Sequence, residues 1–224
     1  MAARAAKAAA TGKQPGGRPP APPLAGPGPT DQVNLTDEES RIMPVPGGGF
    51  EQCYNAQAAV AVGSLLVVAT DVVQATNDKQ QVEPMLGKLG ALPKELGKTE
   101  TLLADTGYFS EANVQACVAA QVDPLIAMGR QAHYPPLAER SASVPPRPDN
   151  PTPVEAMAHR LKTPEGRKLY ALRKHTPEPV FGVIKSALGF RQFLLRGLEN
   201  VRGEWNLVTM AYNMKRLFAL ARAA

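Results

Sequence analysis

The sequence predicts an α/β fold in which a mixed sheet is flanked by helices. Two apolar runs, YNAQAAVAV (54–62) and LLVVATDVV (65–73), flank Gly63-Ser64 and predict a β-hairpin. Two shorter runs, TLLAD (101–105) and VDPLIAM (122–128), have a helix-length segment between them, which favours parallel pairing. Strands that alternate with helices in this way indicate the α/β class.

Each strand has its own pattern. In the first run, every second residue is apolar, so one face carries Tyr54, Ala56, Ala58, Val60 and Val62. The second run is rich in β-branched residues and predicts a buried strand. A helix follows with Asn77 or Asp78 as its cap, and the next helix is capped by Ser110. The apolar residues predicted to be buried in these two helices are Val82, Met85, Leu86 and Leu89, then Val114, Cys117 and Val118.

The last third of the chain predicts helices after a proline-rich loop at 129–153, with helical patterns resuming near Val154. The segment 176–189 has Thr176 as its cap, Pro177 at the first helical position and Gly189 at its end. The final helix, about 199–222, has a predicted buried face made of Leu207, Met210, Ala211, Met214, Leu217, Phe218 and Ala221.

Two domains of unequal kind are predicted. Residues 1–46 form a basic tail whose 12–29 segment is rich in proline and glycine, so its composition predicts disorder. A solvated linker is favoured there over a DNA-binding arm. The folded part is predicted to cover 47–224.

Composition favours a cytoplasmic protein with an anionic partner. The net charge is +5 and the pI is about 9.3, which fits nucleic acid without showing it. The two cysteines, Cys53 and Cys117, have no metal-site or disulfide spacing. No apolar run is long enough for a membrane span, and the N-terminus does not resemble a secretory signal.

Five polar residues stand out as candidates for chemistry. Asp105 ends a buried strand, where ligands often bind in α/β sheets, although an aspartate can also simply begin a turn. Glu178 and Lys185 are two helical turns apart and share a face, as do Tyr170 and Arg173. Such a group could hold a metal ion beside a phosphate backbone, or it could be an ordinary solvated face.

Six stretches occur in an order that resembles the DDE transposases of bacterial insertion sequences, from about Asp31 to Ala221. They are GGGFEQCYNAQAAV (47–60), NDKQQVEPML (77–86), LLADTGYFS (102–110), HRLKTPEGRKLYALRK (159–174), EPVFGVIKSALGFRQFLLRGLENV (178–201) and EWNLVTMAYNMKRL (204–217). The resemblance implies a ribonuclease-H-like fold, in which an α/β sheet is flanked by helices.

The same resemblance assigns roles to residues. ADTGYFS is similar to the segment with the family's second catalytic aspartate, which implies Asp105, and EPVFGVIK implies Glu178 as the catalytic glutamate. Both would be ligands of Mg²⁺, of which the family uses two ions. The signature around the glutamate implies that Tyr170, Arg173 and Lys185 contact DNA phosphate.

The sequence departs from the family pattern at the first aspartate. That residue normally lies on a strand before the YNAQAAV hairpin, and nothing before Gly47 resembles it. The first strand and the N-terminal DNA-recognition domain are therefore expected to be missing. Asp71 is the nearest acid on the predicted sheet, but its surroundings do not resemble the motif, and a relative's acid after NAQAAV is replaced by Ala61.

The leading interpretation is a truncated DNA transposase, impaired in cutting and strand transfer. Its partners would be transposon ends and target DNA, and the resemblance also implies a homodimer. One alternative is an enzyme half completed by a separate polypeptide with the first strand. Another is a non-catalytic DNA-binding or regulatory fragment that uses its basic face alone.

Overall fold

The computed structural model describes residues 34–45, 47–129, 144 and 146–222, together with 9, 26 and 28. The chain divides into two compact units, 1–35 and 36–224, and the architecture below is that of the second. Most of the predicted tail, and most of the proline-rich loop predicted at 129–153, lie outside the described residues.

A short hairpin spans Gly47, the predicted start of the folded part. Strand β1 (Arg41–Pro44) pairs antiparallel with β2 (Phe50–Cys53). Gly47, Gly48 and Gly49 all have positive φ and form the connection between these two strands. Those glycines turn a hairpin where the sequence pattern suggested the edge of a linker, and the domain boundary between 46 and 47 remains a prediction.

The predicted hairpin at 54–73 is confirmed. Strand β3 (Asn55–Val60) pairs antiparallel with β4 (Val67–Val73), with Gln57 opposite Asp71. Most of the predicted apolar face packs against a buried core that contains Val72, Trp205 and Tyr212. Val62 is the exception, because it lies beyond the strand and is half exposed.

The parallel pairing is also confirmed. Strand β5 (Thr101–Ala104) pairs with β6 (Asp123–Ile126), and helix α1 (Val82–Gly90) packs against α2 (Glu111–Ala119). Ser110 caps α2, because its hydroxyl oxygen accepts a hydrogen bond from the backbone N–H of Asn113. The predicted cap of α1 is wrong, because that helix follows Gln81 and has no side-chain cap.

The prediction that Val118 of α2 is buried is wrong. Val118 is 51% exposed, whereas Asn113 is buried. The side-chain amide nitrogen of Asn113 donates to the backbone carbonyls of Lys79 and Tyr108, at 2.8 and 2.6 Å. Because these bonds satisfy the amide, a polar residue can occupy the inner face, which apolar periodicity cannot reveal.

Within the described residues the six strands form three separate two-stranded sheets, β1–β2, β3–β4 and β5–β6. This mixture of small sheets and helices confirms the α/β class. The ribonuclease-H-like arrangement remains a prediction.

The helices after the loop begin close to where they were predicted. Helix α3 (Pro153–Arg160) has a capping box formed by Thr152 and Glu155, and α4 (Pro164–Ala171) runs into a 3₁₀ turn, Leu172–His175. Helix α5 (Pro177–Gly182) then continues as a π segment, Val183–Ala187. Pro177 takes the predicted first position.

The cap predicted at Thr176 makes no capping bond. Its hydroxyl instead donates to the Leu172 carbonyl at 2.7 Å, which ties it to the preceding turn. Gly189 has positive φ and follows the last turn, as predicted for the helix end.

The final helix, α6 (Leu198–Ala221), buries a different face from the predicted one. Its buried residues are Val201, Trp205, Thr209 and Tyr212. Most of the predicted core residues are instead exposed, from 52% at Leu217 to 67% at Phe218, and Ala211 and Ala221 are exposed as well. The helix is apolar on two sides, so hydrophobic spacing alone could not decide between them.

Hydrogen bonds from two aromatic side chains, Trp205 and Tyr212, fix which face of α6 packs against the β3–β4 hairpin. The Trp205 indole donates to the Gln57 carbonyl at 3.0 Å, and the Tyr212 hydroxyl donates to the Leu65 carbonyl at 2.9 Å. Both bonds are available only when this face meets the β3–β4 hairpin.

Among the described residues, no helix is long and apolar enough to cross a membrane.

Candidate functional site

The candidate site begins at the carboxyl end of β5, where Asp105 follows Ala104. Asp105 caps the short 3₁₀ turn Thr106–Tyr108, because its Oδ1 accepts from the Gly107 amide at 2.9 Å. Its side chain nevertheless stays 53% exposed. Both interpretations from the sequence therefore hold in part: the residue starts a turn, and its carboxylate keeps oxygen lone pairs open to solvent.

Tyr170 and Arg173 join Asp105 at this end of the sheet. The Tyr170 hydroxyl donates to the Ala104 carbonyl at 3.2 Å, and Arg173 Nη1 lies 3.9 Å from Asp105 Oδ2. The guanidinium lies over the Tyr170 ring, 5.8 Å from its centre. Three of the five predicted site residues are thus brought together, although Asp105 lies far from Tyr170 and Arg173 in sequence.

Arg173 is not fully satisfied in this arrangement. Its Nε is buried and has no hydrogen-bond partner among the described residues. A guanidinium has five N–H donors, and an unpaired buried donor is costly, so an oxygen-rich ligand would be favoured beside it. Burial raises the pKa of the Tyr170 phenol, while the nearby Arg173 charge opposes that rise.

A polar network anchors the other side of Asp105. Buried Gln57 on β3 accepts from the Tyr108 hydroxyl at 2.6 Å and donates to Asp78 Oδ1 at 2.8 Å. Asn55 donates to the same Asp78 oxygen at 2.8 Å. Burial, with the charges of Asp78 and Asp105, raises the pKa of the Tyr108 phenol above its usual range.

Asp78 is a residue that the sequence interpretation placed only as a helix cap. A Cβ added to Gly107 would lie 3.1 Å from Asp105 Oδ1 and 3.4 Å from Asp78 Oδ2. The two carboxylates therefore border the same small space. The sequence signal was the acid itself in NDKQQVEPML, but only the tertiary fold shows that it faces Asp105.

Asp71, the nearest acid on the predicted sheet, is engaged elsewhere. It lies 3.1 Å from Lys88 Nζ and 3.4 Å from Arg202 Nε, and its side chain is only 14% exposed. Its Oδ1 also accepts from the Val72 amide at 2.8 Å. This carboxylate ties α1 and α6 to β4.

Glu178 and Lys185 are exposed. Glu178 lies in the first turn of α5, and Lys185 lies in the π segment. Neither side chain has a hydrogen bond or ion pair within the described residues. The structure thus does not join them to the group around Asp105 by contact, and the convergence of Glu178 with Asp105 remains a prediction.

Donor chemistry at the site suits a hard cation only in part. Carboxylate oxygens are the preferred ligands of Mg²⁺, and Asp105 and Glu178 both have exposed ones. Within the described residues, however, no group of three or more His, Cys, Asp or Glu is placed to hold a metal ion. Asp105 and Glu178, the two predicted acids, are both present, but within the described part of the chain neither belongs to a group of three potential ligands.

Residues 138–218 match the family model of the transposase DDE domain. This match confirms the resemblance to DDE-type transposases over a segment that contains Tyr170, Arg173, Glu178 and Lys185. Asp105 lies outside the matched residues. The comparisons with curated proteins and with solved structures give no match.

Proposed function

We propose that this chain acts on DNA as the C-terminal part of a DDE transposase catalytic domain, impaired in cutting and strand transfer. The observation that carries the proposal is the meeting of Asp105, Tyr170 and Arg173 at the end of β5. Two of these residues belong to the segment that matches the transposase DDE domain, and the third is the acid that the ADTGYFS motif implies.

The proposed roles follow from charge and exposure. Asp105 and Glu178 would hold Mg²⁺ through exposed carboxylate oxygens. Metal bound there would activate the attacking water or 3′-hydroxyl and stabilise the leaving oxygen of an in-line phosphoryl transfer. Arg173, whose side chain is 21% exposed, would offer guanidinium N–H donors to a DNA phosphate, with Tyr170 holding the guanidinium in place and Lys185 adding a second positive charge.

The proposed fold is a ribonuclease-H-like sheet without its first strand. The separation of β3–β4 from β5–β6 supports this proposal, because a strand between them would join the two pairs into one sheet. Tyr108 and Gln57 link the two pairs through side chains, where a continuous sheet would use backbone bonds.

Weak catalysis by this chain alone is part of the proposal. Two divalent ions bring four positive charges, and the two carboxylates of Asp105 and Glu178 offset only half of them. Positioning and electrostatic stabilisation supply nearly all of the catalysis in phosphoryl transfer, so one lost donor costs about 10²- to 10³-fold. DNA binding through Arg173 and Lys185 needs no metal and should survive, and a homodimer on paired DNA ends is included in the proposal.

The test is a nicking assay on supercoiled plasmid in Mg²⁺ or Mn²⁺, beside filter binding at two salt concentrations. We expect undetectable or very weak nicking, with DNA affinity that falls steeply as salt rises. Supplying a polypeptide with the missing strand should restore Asp105-dependent nicking if the chain is an enzyme half. Continued inactivity with intact DNA binding would favour the non-catalytic fragment.

Robust nicking by the chain alone would contradict the impaired state. In that event Asp105→Ala, Asp78→Ala and Asp71→Ala should be compared. Loss of nicking in Asp78→Ala at unchanged stability would identify the acid that borders the same space as Asp105, whereas Asp71 is held by Lys88 and Arg202. The absence of DNA binding at low salt would overturn the proposed function as a whole.

A further inference from the structure

The solvent side of α6 carries an apolar stripe, defined by Leu207, Met210, Met214, Leu217 and Phe218. Each of the five side chains is more than half exposed, from 52% at Leu217 to 67% at Phe218. The helix is held to the hairpin by its opposite face, through Trp205 and Tyr212. Within the part of the chain that the structure describes, the stripe is therefore left largely uncovered.

The spacing of the stripe fits a helix partner. Steps of three and four residues separate Leu207, Met210, Met214 and Leu217, which is the seam of a two-helix coiled coil. The exposed apolar surface is on the order of 500 Å², at the upper end of the patches found on monomeric proteins. A standard interface buries roughly 800 Å² per partner, so the stripe and its flanking residues are of the size that a stable pair requires.

Charge along α6 indicates which partner this is. The N-terminal half carries Glu199, Arg202 and Glu204, whose charges sum to −1, with Glu199 lying 3.5 Å from Arg202. The C-terminal end carries Lys215, Arg216 and Arg222, whose charges sum to +3. Two copies of α6 aligned antiparallel would set the acidic end of each against the basic end of the other. A parallel alignment would set like charges together, which is unfavourable.

We propose that the apolar stripe of α6 is a homodimer interface in which two copies of the helix pack antiparallel about a two-fold axis near Met210. This register places Phe218 of one copy opposite Gly203 of the other. An added Cβ at Gly203 would meet nothing within 4 Å, so the large ring has room there. The inference specifies the surface of the dimer included in the proposed function, and it is independent of the DNA chemistry.

The first experiment measures the mass of the full chain by sedimentation equilibrium, with Met214→Glu as the disrupting variant. We expect a wild-type dimer at micromolar concentration and a dissociation constant raised at least about 100-fold in Met214→Glu. The matched control is Leu96→Glu, since Leu96 is 69% exposed on a different element and its variant should remain dimeric. Circular dichroism checks that both variants fold, as expected for exposed positions.

A charge swap tests the alignment. Glu199→Lys alone should weaken the dimer by about tenfold at low salt, and adding Arg222→Glu should restore it, because exposed ion pairs are worth up to about 1 kcal/mol each. Restoration by the second substitution is not expected if the helices run parallel.

Disulfide trapping gives an independent measure of direction. In a Cys53→Ser background, with Cys117 buried, Met210→Cys should form a disulfide-linked dimer and Phe218→Cys should not. A wild-type monomer at about 100 μM, or a dimer that Met214→Glu leaves intact, would overturn the proposal. Efficient trapping at Phe218→Cys would overturn the antiparallel alignment. These readouts are masses, so failure of the DNA proposal would leave them unchanged.

Discussion

The contact between α6 and the β3–β4 hairpin differs from the site at the end of β5 in how completely its polar groups are paired. Five side chains of α6 form hydrogen bonds with the backbone of the hairpin. Arg202, Trp205, Tyr212 and Arg216 donate to the carbonyls of Val72, Gln57, Leu65 and Ser64, respectively, and Asn213 bonds to both the amide and the carbonyl of Val67. At the end of β5, Asp105 is half exposed and Arg173 has an unpaired buried nitrogen.

The comparison separates polar groups that fix the fold from those left open to a ligand. Asp71 lies on β4 and Asp105 directly follows β5, and each lies near a guanidinium. Asp71 is nearly enclosed by two cations, whereas Asp105 meets one at 3.9 Å and stays in contact with solvent. Substitutions in the paired region should therefore cost stability, and substitutions at the open site should cost DNA binding.

The largest effect is expected at Trp205. Trp205→Ala removes the bond to the Gln57 carbonyl and the ring contacts with Phe181, Phe190 and Phe193, so we expect a loss of about 3–5 kcal/mol in the free energy of unfolding. Urea unfolding measures it. Leu96→Ala, on an exposed 3₁₀ turn outside the proposed dimer interface, is the control and should change stability by less than about 0.5 kcal/mol.

A smaller loss is expected for Asp71→Asn. The change removes the charge that Lys88 and Arg202 share, and it should lower the free energy of unfolding by about 2 kcal/mol. Both cations are partly exposed and can rehydrate, which limits the cost. Asp105→Asn in the same assay should stay within about 0.5 kcal/mol of wild type, and equal losses at both positions would remove the distinction between the two regions.

Tyr108→Phe probes a paired group beside the open site. It leaves the buried Gln57 oxygen without its donor, so we expect a loss of about 1 kcal/mol at pH 7. Because burial raises the pKa of Tyr108 in the folded state, its neutral phenol stabilises the fold below about pH 10, and this contribution is lost as pH rises further. The stability difference between wild type and variant should narrow above pH 10, in thermal unfolding followed at each pH.

The smallest effect on stability is expected at Arg173. Arg173→Gln removes a charge that is only partly paired, and the free energy of unfolding should change by no more than about 0.5 kcal/mol. DNA affinity should nevertheless fall, and the slope of log affinity against log salt should decrease by about one. Lys174→Gln, at the exposed neighbouring position, is the control for a general loss of positive charge.

Local patterns predicted much of the fold. Period-two alternation identified β3, a β-branched run identified β4, and an acid after a short apolar run located the end of β5. Ser110 was predicted as a cap because its hydroxyl acts within three residues of its own position. These features depend on neighbours in sequence, so no tertiary information was needed.

The predictions that were wrong or incomplete concern features that depend on tertiary contacts. The buried face of α6 depends on bonds from Trp205 and Tyr212 to a hairpin that lies more than a hundred residues earlier, and no periodicity records such bonds. Asp78 was predicted to be only a cap because its approach to Asp105 is set by Gln57 and Asn55 on β3. The π segment after α5 was likewise not predicted, because the spacing of its apolar residues does not distinguish a π helix from an α helix.

The dependence of the β3–β4 hairpin on α6 bears on how the chain emerges during synthesis. A lone two-stranded hairpin is at best marginally stable in water, and a large part of the cover over this one comes from Val201, Trp205 and Tyr212 of α6. At about 5–20 residues per second, the ribosome needs roughly 6–25 s to travel from Val73 to Leu198. Through that interval the apolar face of the nascent hairpin is incompletely covered, so binding by a holdase chaperone at 54–73 would be most useful then and dispensable once α6 has docked.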